Sequence, residues 1–366
     1  MKYYIIAGEA SGDLHASNLI KALKQIDPNA QFRCWGGDLM KQEGAELVKH
    51  YKNLAFMGFI EVVLHLRTIW HNLRFCKKDI LSYQPNVLIL VDYPGFNLKI
   101  AKFAYKKGFK VVYYISPQVW AWHGSRVKQM KKYIHRLFVI LPFEKDFFKS
   151  KGMEVDFVGH PLLDALDSYH STRLPITTEK EIIALLPGSR KQEISTILPL
   201  MLSVIDKFPE YTFVIAGSEH IGREFYKPFM SNKNVEIVFN QTYDLLAKAK
   251  AALVKSGTAT LETALWNVPE VVCYKGNAIS YSIAVRLIKN IKYISLVNLI
   301  LNKTAVVELI QKELNAKKIE EELLKIVKNK QIINSQQKDF QELREKLGQK
   351  GASLRLAHAI FSEFTR

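Results

Sequence analysis

Short apolar, β-branched runs alternate along the chain with longer segments in which apolar residues recur at every third or fourth place. The runs Tyr3–Ala7, Val87–Val91, Val111–Ile115, Leu137–Leu141 and Val155–Val158 read as strands. A second series follows at Ile182–Leu186, Thr212–Ala216, Val235–Phe239, Ala251–Val254 and Val271–Tyr274. Segments such as Leu14–Gln25 and Leu98–Lys107 carry the helical period. Strands that are apolar throughout, rather than alternating, imply parallel sheets covered by helices on both faces. Two such series predict an α/β protein of two doubly wound domains. The stretch 163–180 mixes Ser, Thr, Pro and charge without a clean period and marks the boundary. The first domain is therefore placed at 1–165 and the second at 180–340. From Lys303 onward no strong strand is evident, and the tail reads as amphipathic helices, with 341–366 as a separate C-terminal segment.

Open parallel sheets bind ligands beyond the carboxyl ends of their strands, so the residues just after each run are the candidates. After the first comes Gly8-Glu9-Ala10-Ser11-Gly12-Asp13, a glycine turn into a helix. It suits either an anion at the helix start or a plain turn capped by Ser11 or Asp13. After Val87–Val91 stands Asp92. A carboxylate at the end of a buried strand is partly desolvated, which raises its pKa toward that of a general base; the alternative is a turn aspartate bonding its own backbone. Trp120 and Trp122 follow the third run and either stack on a ligand or close the core. In the second half, Gly188, Ser189 and Arg190 join backbone amides to a bidentate cation, a set that suits a diphosphate or else a capping-box helix start with a solvated arginine. Ser256, Gly257 and Thr258 open another helix, with Glu262 one turn inside as a partner for a ribose diol; the alternative is that Ser256 and Thr258 are plain helix caps. Tyr274 and Asn298 are weaker candidates for the same site.

Composition narrows the function classes. In 366 residues, 48% are apolar and 24% charged, which is ordinary globular usage and excludes disorder. No run reaches the roughly 18 apolar residues of a membrane-spanning helix, and the N-terminal apolar stretch is too short for a secretory signal. Cys34, Cys76 and Cys273 form no metal or redox pattern, so reduced thiols in a cytoplasmic protein are expected. The net charge of +17 is uneven: residues 1–160 hold 24 Lys and Arg against 13 Asp and Glu. Such an excess attracts nucleic acid, an anionic membrane surface or phosphorylated small molecules. No helix-turn-helix or aromatic RNP pattern supports nucleic acid. The segment Phe56–Trp70 is strongly apolar and is followed by His71, Arg74, Lys77 and Lys78. It reads as an interfacial helix with Phe59, Ile60, Val63, Leu66 and Trp70 toward lipid, or as a buried interdomain helix. There is no Asp-x-Asp, no metal-ligand spacing and no phosphate-binding GxxxxGK[ST], so neither metal nor cofactor is expected.

Several of these segments carry a resemblance as well. Gly8–Asp13, Met57–Val62, Ser116–Trp122, Leu141–Glu144, Leu186–Arg190 and Ser256–Glu262 occur in the order of the signature segments of the lipid-A-disaccharide synthase family. The resemblance runs from about Tyr4 to Leu301. It implies a GT-B glycosyltransferase, with two Rossmann-like domains facing across a cleft and the last helices crossing back to the first. It implies an acylated UDP-sugar donor, UDP-2,3-diacylglucosamine, and an acylated sugar-phosphate acceptor, 2,3-diacylglucosamine 1-phosphate. The product would be a β-1,6-linked disaccharide 1-phosphate plus UDP, made at the cytoplasmic face of the inner membrane. The nucleotide would lie in the second domain, Asp92 aligns with the family's proposed base, and a homodimer is favoured. Glu9, Ser11, Gly12, Asp13, Trp120 and Trp122 fall to acceptor binding. Within the same fold, the rival is an enzyme acting on a soluble UDP-sugar, such as a UDP-N-acetylglucosamine 2-epimerase.

Overall fold

Seven parallel strands build the first sheet: β1 (Lys2–Ala7), β2 (Gln31–Gly36), β3 (Glu46–His50), β4 (Val87–Val91), β5 (Lys110–Tyr114), β6 (Arg136–Val139) and β7 (Asp156–Phe157), in the order β3-β2-β1-β4-β5-β6-β7. Six more form the second: β8 (Glu181–Leu186), β9 (Tyr211–Gly217), β10 (Val235–Phe239), β11 (Ala249–Lys255), β12 (Glu270–Tyr274) and β13 (Val307–Ile310), in the order β10-β9-β8-β11-β12-β13. The computed structural model describes residues 1–53, 66–120, 126–167, 169, 179–232, 234–276 and 292–365. Phe59, Ile60, Val63 and Trp122 lie outside the described residues, as does the side chain of Leu66. Among the described residues, no helix is long and apolar enough to cross a membrane.

The chain divides into two compact units, Met1–Ser168 together with Leu347–Arg366, and Tyr169–Lys346. In each, the order of strands reverses beside the first strand, between β1 and β4 and between β8 and β11. That reversal parts the crossover connections and leaves a crevice at the carboxyl end of the sheet.

The all-apolar strands follow from burial on both faces. Tyr4 and Ile6 of β1 pack with Cys76 and Ile80 of the helix Leu66–Tyr83 and with Ile100 and Ala104 of the helix Pro94–Lys106. Tyr3, Ile5 and Ala7 point the other way, toward Ala16, Leu19 and Leu23 of the helix Ala10–Ile26. That second face also takes Leu356, Ala357 and Ile360 of the helix Ala352–Phe364, from the far end of the chain. The second sheet is covered likewise, with Ile183 and Leu185 on one side and Ile182, Ala184 and Leu186 on the other.

Three strands escape the sequence reading, and each is interrupted by a charge that finds its partner only in the fold. Arg33 in β2 is ion-paired to Asp79 at 2.7 Å and to Glu46 of β3. Glu308 in β13, inside the tail expected to be helical, accepts the backbone N–H groups of Ile294 and Ser295, both at 2.9 Å.

Candidate active site

In the first unit, the loops after β1 and β4 leave the sheet side by side, because Ala7 pairs with Val91. Gly8 has to be glycine: a Cβ there would stand 2.3 Å from the Tyr93 ring. Asp92 and Tyr93 both take left-handed backbone angles, with φ of 46° and 48°. Such values are uncommon outside glycine, and this turn is over-determined by its neighbours. The Asp92 N–H donates to the Tyr114 carbonyl at 3.0 Å, and its own carbonyl accepts the Tyr113 hydroxyl at 2.5 Å and the Asn97 amide at 2.8 Å. The backbone is thereby fixed. Burial pushes the Asp92 carboxyl up to about 6, and the charge of Glu9 adds to the rise. A carboxyl with that pKa is ionised at neutral pH yet basic enough to take a proton.

Its surroundings are acidic as well. Glu9 occupies the N-cap position of the helix Ala10–Ile26 without using its side chain as a cap. Glu144 is 1% exposed, and its carboxyl is driven up to about 8 by burial, with the Asp92 charge pushing the same way and the Leu141 and Ile140 amides opposing. It is therefore mostly protonated near pH 7. Trp120 is half-buried and meets Phe143 edge-on at 5.1 Å. Asp13 serves a different purpose: its buried carboxylate accepts the N–H groups of Gly37 (2.7 Å), Leu39 (3.2 Å) and Met40 (3.2 Å), closing the turn after β2. Gly12 is buried, its missing Cβ falling 3.2 Å from that of Ala7, while Ser11 is exposed. His15 is buried, which drives its imidazole down to about 4.

In the second unit, a crevice of about 460 Å³ opens at the ends of β8 and β11. Gly188, Ser189, Arg190, Gly257, Thr258 and Glu262 line it. Gly188 has φ of +111°, and a Cβ there would fall 2.7 Å from a Glu193 oxygen. Two helices, Lys191–Leu202 and Thr258–Leu265, begin at this crevice, neither with a side-chain cap, and their N-terminal dipole ends lend it positive potential. Glu262 accepts the Tyr243 hydroxyl at 2.9 Å, and burial raises its pKa against that bond.

The remaining nucleotide candidates hold the framework. The Ser256 hydroxyl donates to the Ile294 carbonyl at 3.0 Å. Tyr274 ends β12, and its carbonyl accepts the Gln311 N–H at 2.8 Å. Asn298 is fully buried; its amide donates to Val306 (2.8 Å) and Glu308 (2.9 Å) and accepts from Ala305 (2.8 Å) and Val306 (3.0 Å). Its hydrogen bonds tie a helix to an edge strand.

Several residues of these sites were not singled out from sequence. Glu193 contacts Arg190 at 3.2 Å and Lys255 at 3.0 Å. His220 donates from Nε2 to the Ser189 carbonyl at 3.0 Å and pairs through Nδ1 with the Ser218 hydroxyl at 2.8 Å, pinning the 188–190 turn. Glu144 entered only as the last residue of the signature segment Leu141–Glu144.

Residues 3–362 match the family described as lipid-A-disaccharide synthetase. The chain belongs to the lipid-A-disaccharide synthase family. Among relatives of that name, the one from Syntrophus aciditrophicus is 39% identical over 96% of this chain and 95% of its own. A lipid-A-disaccharide synthase from Coxiella burnetii is 34% identical over 97% and 96%. Solved structures agree on the fold. The glycosyltransferase of kitacinnamycin superposes with a TM-score of 0.68 at 14% identity, covering 99% of both chains. A UDP-N-acetylglucosamine 2-epimerase from Neisseria meningitidis gives 0.69 at 12%, over 99% and 100%. Such low identities speak for the GT-B fold alone, so the epimerase likeness is one of architecture. Membership of the lipid-A-disaccharide synthase family makes the chain a glycosyltransferase of lipid A synthesis.

Proposed function

We propose that the enzyme transfers the sugar of UDP-2,3-diacylglucosamine to the 6-hydroxyl of 2,3-diacylglucosamine 1-phosphate, with Asp92 as general base. The acceptor oxygen attacks the anomeric carbon from the face opposite UDP, and its proton passes to Asp92. The bond from the anomeric carbon to the β-phosphate oxygen breaks, and UDP leaves with the electron pair. One displacement through an oxocarbenium-like state converts the α-linked donor to a β-linked product. The observation that carries the reading is Asp92 itself: a carboxyl raised to about 6, held on a strained turn at the point where the strand order reverses.

UDP is assigned to the crevice after β8 and β11. The helix starts and Arg190 supply positive potential for the leaving diphosphate, and Glu262 takes the ribose diol. The acceptor is assigned to the loops around Glu9, Asp92 and Trp120. Membrane attachment is assigned to the start of the helix Leu66–Tyr83. There Trp70 is 63% exposed, carries the Arg74 guanidinium 5.4 Å above its ring, and lines a depression of about 830 Å³ with Ile69 and Leu73.

The test is turnover by the purified chain in detergent, with and without EDTA, using donors with and without acyl chains. Acylated donor is expected to be consumed and soluble UDP-sugar left intact. With its base pKa near 6, log kcat/KM is expected to fall about one unit per pH unit below that point. Asp92→Asn is expected to lose roughly 10²–10⁴-fold in rate and to keep UDP binding. Near-wild-type turnover in that variant would remove Asp92 from the role.

A further inference from the structure

The crevice of the second unit contains more positive charge than Arg190. Lys255 is the last residue of β11, and its side chain runs between the two glycine turns that form the crevice. Its Cδ lies 3.6 Å from where a Cβ of Gly188 would be, and its Nζ 3.9 Å from the corresponding position at Gly257. The ammonium therefore sits where two helix starts converge. Its side chain is only 20% exposed, against 57% for Arg190. Both cations share one acceptor, Oε1 of Glu193, at 3.0 Å from Lys255 and 3.2 Å from Arg190.

The two cations share this one carboxylate oxygen, so neither holds it alone. A diphosphate offers enough oxygen atoms to take both, and charges a few ångströms apart in a partly desolvated site attract strongly. The two side chains suit different tasks. Guanidinium is a rigid fork, whereas ammonium is a point charge on a flexible four-carbon stem that can follow a moving group.

We propose that Lys255 binds the diphosphate of the donor directly, its ammonium passing from Glu193 to the phosphate oxygens, so that two side-chain cations carry the departing charge. Glu193 is then the carboxylate that parks both cations at the mouth of the site. The proposal rests on reading this crevice as the UDP site, and its test separates the two.

The experiment is calorimetric titration of the full chain with UDP, together with uridine binding followed by ligand-observed NMR. It uses the wild type, Lys255→Met, Lys255→Arg, Glu193→Gln and the double variant Lys255→Met/Glu193→Gln. Lys255→Met is expected to weaken UDP about ten- to a hundredfold, leave uridine unchanged, and cost a similar factor in the Glu193→Gln background. Lys255→Arg is expected to recover most of the affinity. Equal losses for UDP and uridine would mark a folding defect and overturn the direct contact, as would a loss that vanishes once Glu193 is neutral. A change below twofold in Lys255→Met would overturn it too. Failure of the wild type to bind UDP would instead overturn the reading of the crevice, and the role of Lys255 with it.

Discussion

Single residues differ in how openly they announce their work. Asp92 was legible because a continuous apolar run ends on it, and such runs are buried strands whose carboxyl ends meet ligands. Glu193 and Lys255 look like solvated charges in the sequence, and only strand pairing brings them to 3.0 Å. Asn298 is the opposite case, a polar residue that invites a ligand role and spends its hydrogen bonds on backbone and Glu308. Glu270 was not singled out at all. It is fully buried at the start of β12, and neither of its carboxyl oxygens is hydrogen-bonded among the described residues. Burial, with Glu308 assisting, raises its pKa well above the usual 4.5. The folded chain therefore holds a proton that the unfolded chain releases above that value. Its contribution to stability is complete at low pH and is lost as pH rises through the folded pKa. Glu270→Met is expected to stabilise the protein by about 1–3 kcal/mol at pH 8 and by less at pH 5. Thermal unfolding at the two pH values checks this; equal gains at both would dismiss the buried acid as the cause.

At the scale of elements, the all-apolar strands were readable, whereas of the strands with a charge inside β10, which holds Glu236, was read and β2 and β13 were missed. Periodicity weighs a residue by its polarity, and it cannot see that Arg33 lies against Asp79 or that Glu308 receives two backbone amides. Helices show the same limit. The period identifies Ala352–Phe364 as amphipathic but does not say which sheet its apolar face covers. The partner is chosen by packing and by a cap from another element. Asp164, in the helix Leu162–Asp167, accepts the N–H groups of Gly351 (2.6 Å), Ala352 (3.2 Å) and Ser353 (2.8 Å). These are N–H groups that the first turn of a helix leaves without partners. Asp164→Ala is expected to cost about 1–3 kcal/mol and to speed amide exchange across 352–364, with the second unit unaffected. Uniform acceleration in both units would show that the cap acts on the whole chain rather than on this helix.

For the whole molecule, the repeated alternation of strand and helix was enough to foresee two parallel-sheet units, and both sheets have the same order around their first strand. Charge belongs to this scale as well. With a net +17, the chain is attracted to any anionic surface, and each basic residue near a leaflet contributes about 1 kcal/mol. Trp70→Gln is expected to reduce co-sedimentation with anionic vesicles severalfold while shifting stability by less than about 0.5 kcal/mol, because the ring is already in solvent. Raising salt toward 1 M is expected to weaken the attachment further. Unchanged sedimentation would favour a role for that helix away from lipid. The interrupted first unit has a consequence during synthesis. Leu356, Ala357 and Ile360 seal one face of the first sheet, yet the whole of Tyr169–Lys346 is translated before them. A nascent chain thus waits on the ribosome with apolar surface uncovered beside Leu19 and Tyr114, and a message cut short leaves that surface open to chaperones and proteases.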